Sequence, residues 1–233
     1  MTGSWRVLFG GASSAAEHMA LDESLARTAA ASVRVFTWNP PAVSLGLKQP
    51  IPAWLEPAAW RAAGLELIER PTGGGLAVHG SDCSIAVVVP RETSIPLDAL
   101  MATVCRSAVR MCRGYGVEAE PVMDVPGARR VTYCLTELSP YAVMAGPRKL
   151  AGFALRRYAQ SWLIQGSLLV GAMPERLAAA MPEEARRQFE ARAITLSEAA
   201  GRAIRAQDVA RRWGTSWAEW WDDLLVSELV DAV

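Results

Sequence analysis

One glycine triplet has a strand candidate before it and two short apolar runs rich in β-branched residues after it, and this clustering limits the possible folds more than any other feature. Leu65–Ile68 precedes Arg70-Pro71-Thr72-Gly73-Gly74-Gly75, and Leu76–Val78 and Ile85–Val89 follow it. Each run is too short for a helix and has strand composition. The two that follow the glycines read as a hairpin with one buried face. Helical periodicity flanks them. Ala15–Ala31 repeats Met19, Leu21 and Leu25 with Ser13 or Ser14 available as N-cap. Leu97–Tyr115 puts Leu100, Val104, Ala108, Met111 and Cys112 on one face, with Gly114 and Gly116 as stop signals.

The same reading extends along the chain. Val33–Trp38 alternates as a strand, Asn39-Pro40-Pro41 forces a turn, and Ala42–Leu45 resumes extended. Glu56–Ala63 is helical and Gly64 ends it. Pro121–Arg130 reads as loop, Tyr133–Leu138 and Tyr141–Met144 as short extended segments, and Leu163–Val170 as a strand. Pro174–Ala180 and Pro182–Ala191 are helices with proline in the first turn. Ala206–Leu225 reads as a Trp-rich amphipathic pair, whose Trp213, Trp217, Trp220 and Trp221 suit core packing better than an exposed contact face.

A chain of 233 residues with 51% hydrophobic content suffices for one globular domain with a sizeable core. Its 24 basic and 24 acidic residues cancel, so no global field favours nucleic acid or an anionic membrane. The longest apolar stretches, Ile85–Pro90 and Leu163–Ala172, are too short to span a bilayer, and Met1–Gly11 lacks the pattern of a signal peptide. A cytoplasmic protein is expected. Cys83, Cys105, Cys112 and Cys134 fit neither a disulfide framework nor a zinc pair and read as reduced thiols. Two histidines without a paired acidic cluster argue against a catalytic metal.

Four features can carry chemistry. The triplet Gly73–Gly75 would let a ligand approach the backbone closely, although such a run also serves as an ordinary hairpin turn. It is neither a phosphate-binding P-loop nor a dinucleotide fingerprint, because no Gly-Lys-Ser/Thr follows and a strand comes next. Arg148-Lys149-Leu150-Ala151-Gly152-Phe153-Ala154 places a lysine before a small-residue turn, where it either stabilises developing negative charge or is simply solvated. Cys134 lies in an extended polar segment, better placed for reactivity than Cys105 or Cys112, though buried inert cysteines are common. His79 follows the glycine loop and would move a proton or orient a donor, whereas His18 reads as a helix-start residue without chemistry.

The order of these motifs adds what none supplies alone. Taken together, HMALDESL, VRVFTWNPPAVSLGLKQ, ERPTGGGLAVHG, RKLAGFALRR and LIQGSLL resemble the lipoate and octanoate ligase/transferase family, itself related to biotin protein ligases. The resemblance implies an α/β (α+β) fold with a mixed, largely antiparallel sheet flanked by helices. It also implies a single catalytic domain over residues 1–233, with a short helical tail from about residue 195 and no large accessory domain, which some ligases supply as a separate polypeptide.

On that resemblance, Arg70, Gly73, Gly74 and Gly75 would line an acyl or acyl-adenylate pocket with His79 beside it. Lys149 would bind the activated carbonyl or phosphate, and Gly152 and Ala154 would form the close wall. Cys134, fifteen residues before Lys149, resembles the nucleophile of cysteine-dependent octanoyltransferases. That reading needs no cofactor; its donor would be octanoyl-acyl carrier protein and its acceptor a lipoyl domain or a glycine cleavage H-type protein. Gly75 stands where those transferases usually carry arginine, giving the form seen in ATP- and Mg-dependent lipoate-protein ligases. Leu155 and Gln165 replace a usual glutamine and histidine, which also suits an acyl-binding homologue without turnover.

Overall fold

The computed structural model describes residues 5–124 and 139–231, with side chains described as far as residue 225. Cys134 and the segments Pro121–Arg130, from Val125 onward, and Tyr133–Leu138 lie outside the described residues.

The chain opens with strand β1 (Arg6–Ser13), helix α1 (Ala15–Thr28), and strands β2 (Ser32–Trp38) and β3 (Ala42–Leu45). It continues through α2 (Pro57–Ala62), β4 (Glu66–Glu69), β5 (Ala77–His79), β6 (Asp82–Pro90), α3 (Leu97–Arg113) and β7 (Glu120–Val122). After the undescribed segment come β8 (Ala142–Ala145), β9 (Arg148–Arg157) and β10 (Ser161–Leu169). Four helices close the chain: α4 (Glu175–Ala180), α5 (Glu183–Arg192), α6 (Leu196–Ala199) and α7 (Ala206–Asp231).

Seven strands form one sheet in the order β1-β2-β6-β10-β9-β8-β7, antiparallel except for the β1/β2 pair. A smaller sheet runs β4-β3-β5. This is the expected mixed, largely antiparallel α/β architecture. Strand β6, beside the central β10, is an interior strand of the large sheet and is buried on both faces. Its Ile85, Val87 and Val89 join Leu100, Val104, Trp213 and Trp217 of α3 and α7 in the main core. Its Ala86 and Val88 face Ala15, Met19 and Leu25 of α1 on the other side. A strand covered on both faces has no reason to alternate, which explains the unbroken apolar run.

Local signals place most of the boundaries. Ser14 caps α1 in a capping box with Glu17, and the helix ends at Ala29 in a left-handed conformation, short of the expected Ala31. Pro174 and Pro182 sit at the N-cap positions of α4 and α5, one residue ahead of the first turn.

Four expectations need correction. β5 and β6 are not a hairpin: β5 pairs with β3 in the small sheet, β6 with β2 and β10 in the large one. Gly80 turns the chain between the sheets at φ +142, in a corner where a Cβ would meet Pro174 at 2.7 Å. The Arg148–Ala154 stretch is strand and not a turn, its small residues sitting in a ladder between β8 and β10. The C-terminal pair is one continuous helix that runs through Gly214, where the Phe9 ring and Val35 occupy the space a side chain would need. Finally, Glu120–Val122, part of which was expected as loop, pairs with β8 as an edge strand. The four tryptophans Trp213, Trp217, Trp220 and Trp221 are core residues.

Candidate active site

The registers of β6, β10 and β9 create two polar rungs across the large sheet. Ser84, Ser167 and Gly152 stand side by side on one, and Ala86, Gln165 and Ala154 on the next. All of these except Ala86 line a cleft between the two sheets, closed by Ser44, Arg70, Ala77 and His79 on the small-sheet side and by Met19, Phe36, Trp38 and Ile85. The cleft has a cavity volume of ≈ 40 Å³, within ≈ 420 Å³ of non-atom space that includes open solvent. Its walls are mostly apolar, and its polar groups are few and fixed, as in small-molecule sites generally.

His79 is held on three sides. Its Nδ1 meets Asp82 Oδ2 at 2.9 Å, its Nε2 meets Ser44 Oγ at 2.8 Å, and the Trp38 indole stacks on the ring at 3.9 Å between centroids. Ser84 and Ser167 donate to the same Asp82 oxygen at 2.9 and 2.7 Å, and the Gly80 N–H donates to the other at 2.9 Å. Burial penalises the Asp82 charge, but the His79 imidazole and these hydrogen bonds outweigh it and hold the carboxyl below its ordinary range.

Arg70 braces the glycine loop. One guanidinium nitrogen donates to the Ser44 carbonyl and hydroxyl, both at 3.2 Å, and the other to the carbonyls of Gly73 and Gly75, both at 2.7 Å. Gly74 adopts φ +91, and its carbonyl lies only 1.9 Å from where a Cβ on Gly46 would stand. The triplet is thus a closely packed backbone turn next to the cleft, while Arg70 itself lines it.

At the far side Gln165 joins three elements. Its carbonyl accepts from Thr72 at 2.7 Å, and its amide nitrogen lies 2.7 Å from Asp22 Oδ2 and 3.4 Å from the Met19 sulfur. Asp22 is also paired with the buried Arg34 at 2.7 Å, and burial pushes its carboxyl above the ordinary range against the pull of Arg34 and Gln165. Arg34 donates to His18 Nδ1 at 2.9 Å, so the imidazole is the tautomer that donates from Nε2 to the Thr37 carbonyl at 2.8 Å. Burial and the Arg34 charge lower the His18 pKa to about 4.

Lys149 lies further along β9, buried to 2% exposure, with its ammonium donating to Ser139 Oγ at 2.8 Å. A β-bulge leaves Leu150 without a counterpart on β8. Leu150 therefore joins the core together with Ala151 and Phe153, which releases Lys149 from the core face that simple alternation with Ala151 would impose. Ala193 bridges to Lys149, and the Ile194 N–H donates to the Lys149 carbonyl at 3.0 Å.

Comparison with known proteins identifies the frame that carries this cleft. Residues 14–218 match the lipoyl protein ligase A/B catalytic domain family. The chain belongs to that family. It is 31% identical to the octanoyltransferase LipM of Symbiobacterium thermophilum over 94% of this chain and 83% of that one. Its fold is similar to a lipoate-protein ligase A bound with ATP, with a TM-score of 0.71, 20% identity, and coverage of 97% of this chain and 94% of the other. It is also similar to the bi-partite lipoate protein ligase of Thermoplasma acidophilum, with a TM-score of 0.67, 18% identity, and coverage of 97% and 91%.

Within the family fold, Arg70, His79, Gly152 and Ala154 meet at the cleft, Gly73–Gly75 adjoin it through Arg70, and Lys149 sits beyond Gly152 on the same strand. Cys134 lies outside the described residues. Sequence reasoning passed over Trp38, Ser44, Asp82, Ser84 and Ser167. For Asp82, Ser84 and Ser167 the signal was present as polar residues at alternate positions inside apolar strands, Asp82 and Ser84 in β6 and Gln165 and Ser167 in β10.

Proposed function

We propose that this chain is an acyltransferase of lipoate metabolism that moves an octanoyl or lipoyl group onto one lysine of a lipoyl carrier domain. The observation that carries this reading is the apolar cleft along β9 with the buried Lys149 beyond it, whose partner Ser139 stands five residues after Cys134. The LipM relative, an octanoyltransferase by name, supports octanoyl as the group transferred.

In the reaction, the Cys134 thiolate attacks the thioester carbonyl of octanoyl-acyl carrier protein. Lys149 donates to the oxyanion as it forms, the donor sulfur departs as thiolate, and an octanoyl thioester remains on Cys134. The amine of the carrier lysine then attacks that thioester, the amide forms, and the cysteine leaves as thiol. The acceptor is a lipoyl domain or a glycine cleavage H-type protein; the Thermoplasma acidophilum ligase was described together with its E2 lipoyl domain. No cofactor enters either step.

A second reading rests on Gly75, which gives the loop its three-glycine form, and on the likeness to a ligase bound with ATP. There the chain would use ATP and Mg to make lipoyl-adenylate before transfer, and Cys134 would be structural. Mass measurement of a lipoyl domain separates the two. On the transferase reading the domain gains an octanoyl group from the carrier-protein thioester without ATP, and Cys134→Ser abolishes the gain. Modification from free lipoate that requires ATP and survives Cys134→Ser would establish the ligase.

A further inference from the structure

The strand register gives the cleft a direction. Along β9, Lys149 is followed by Gly152 on the first rung and Ala154 on the second; with the bulge at Leu150 taking up one residue, Lys149 and Ala154 stand about 13 Å apart at roughly 3.3 Å per residue. An extended eight-carbon acyl chain of about 10 Å, plus a hydrogen bond of about 3 Å from its carbonyl, fits within that span. With the carbonyl toward Lys149, the methyl end points at the second rung, where Ala154 stands beside Gln165 and Met19 approaches from α1.

That end is built as a floor. Met19 is 7% exposed and Gln165 equally buried at 7%, and the Gln165 amide ties the Met19 sulfur to Asp22 and, through its carbonyl, to Thr72. Both amide atoms of Gln165 are thereby engaged, and Met19 and Ala154, which also line the cleft, are the apolar residues that contact it or pair with it. Behind them the Arg34–Asp22 pair is buried at 1% and 0% side-chain exposure. A longer chain would have to displace Met19 and leave those charges beside hydrocarbon.

We propose that Met19, positioned by Gln165 and facing Ala154, is the chain-length stop of the acyl site. The proposal rests on the reading of Lys149 as the carbonyl end of the cleft. It assigns Met19 and Ala154 to specificity and not to the transfer step itself.

Calorimetric titration of the Cys134→Ser protein with N-acetylcysteamine thioesters of four to twelve carbons tests it without turnover. Affinity should rise about fourfold per methylene up to eight carbons, as burial of each group predicts, and fall at ten and twelve. Met19→Ala should move the maximum to ten carbons or more, and Ala154→Leu should move it below eight. The second variant keeps the test decisive if removing Met19 prevents folding. A maximum that stays at the same length in both variants, or in Ala154→Leu alone where the other does not fold, overturns the floor and leaves the transfer reading standing. Absence of binding at every length overturns the floor and the acyl cleft together.

Discussion

The hydrogen bond between His79 Nδ1 and Asp82 Oδ2, 2.9 Å long and buried, joins the small sheet to the large one. Three donors converge on that single oxygen, from His79, Ser84 and Ser167. Asp82→Asn keeps the shape but sets a neutral amide where they meet, and should cost about 3–5 kcal/mol. Because the Asp82 pKa is lowered by folding, its contribution is present above the ordinary carboxylate value and is lost as pH falls below it. Denaturant titrations should accordingly show a shallower acid limb in Asp82→Asn than in the parent.

His18 sets a second pH dependence. Folding lowers its pKa from 6.5 to about 4, so between those values the unfolded chain binds a proton that the folded chain does not. Stability should therefore decline as pH drops from 6.5 toward 4, with no further loss from this group below that. His18→Gln, which can still accept from Arg34 and donate to Thr37, should flatten that interval in urea unfolding measured at several pH values.

Gly46 tests the glycine turn. A Cβ there would stand 1.9 Å from the Gly74 carbonyl oxygen, a backbone atom that cannot rotate away. Gly46→Ala should displace the turn that Arg70 braces and destabilise the protein by about 1–3 kcal/mol, read as a lower thermal midpoint. Gly73→Ala meets nothing within 4 Å and should leave that midpoint nearly unchanged.

Much of this fold was legible because local signals and tertiary environment agreed. Ala42–Leu45 and the start of α3 at Leu97 fall where the pattern put them, and the Ser14 cap opens α1. β1 was missed because Gly10 and Gly11 dilute its strand character; at Gly10 a side chain would strike Arg34 and Phe36, so only the packed structure explains the glycine. The β5/β6 hairpin failed because adjacency in sequence says nothing about Gly80 carrying the chain from one sheet to the other. At the site, Arg70, His79, Gly152 and Ala154 stood out as residue types in motifs. Asp82, Ser84 and Ser167 did not, since their meeting point depends on the register of β6 against β10. Met19 entered the sequence pattern only as a residue of the first helix's spacing, and its place at the cleft appears only once Gln165 is seen to hold its sulfur.

Lys149 separates charge stabilisation from packing. Lys149→Met preserves the length and apolar body of the side chain while removing the ammonium that donates to Ser139. Octanoyl transfer should fall by about 10²–10³-fold in kcat, the usual cost of losing one oxyanion donor, with KM changed far less. An equal loss through KM alone would assign Lys149 to ground-state binding.

On the transferase reading the acyl group passes through this chain itself, on Cys134. Intact-mass measurement of the protein after mixing with octanoyl-acyl carrier protein, with no acceptor present, reads that step directly. Transfer through Cys134 should leave an added octanoyl mass on the parent protein that is absent in Cys134→Ser and cleared when a lipoyl domain is added. An unmodified parent protein under conditions where the lipoyl domain becomes octanoylated would contradict it.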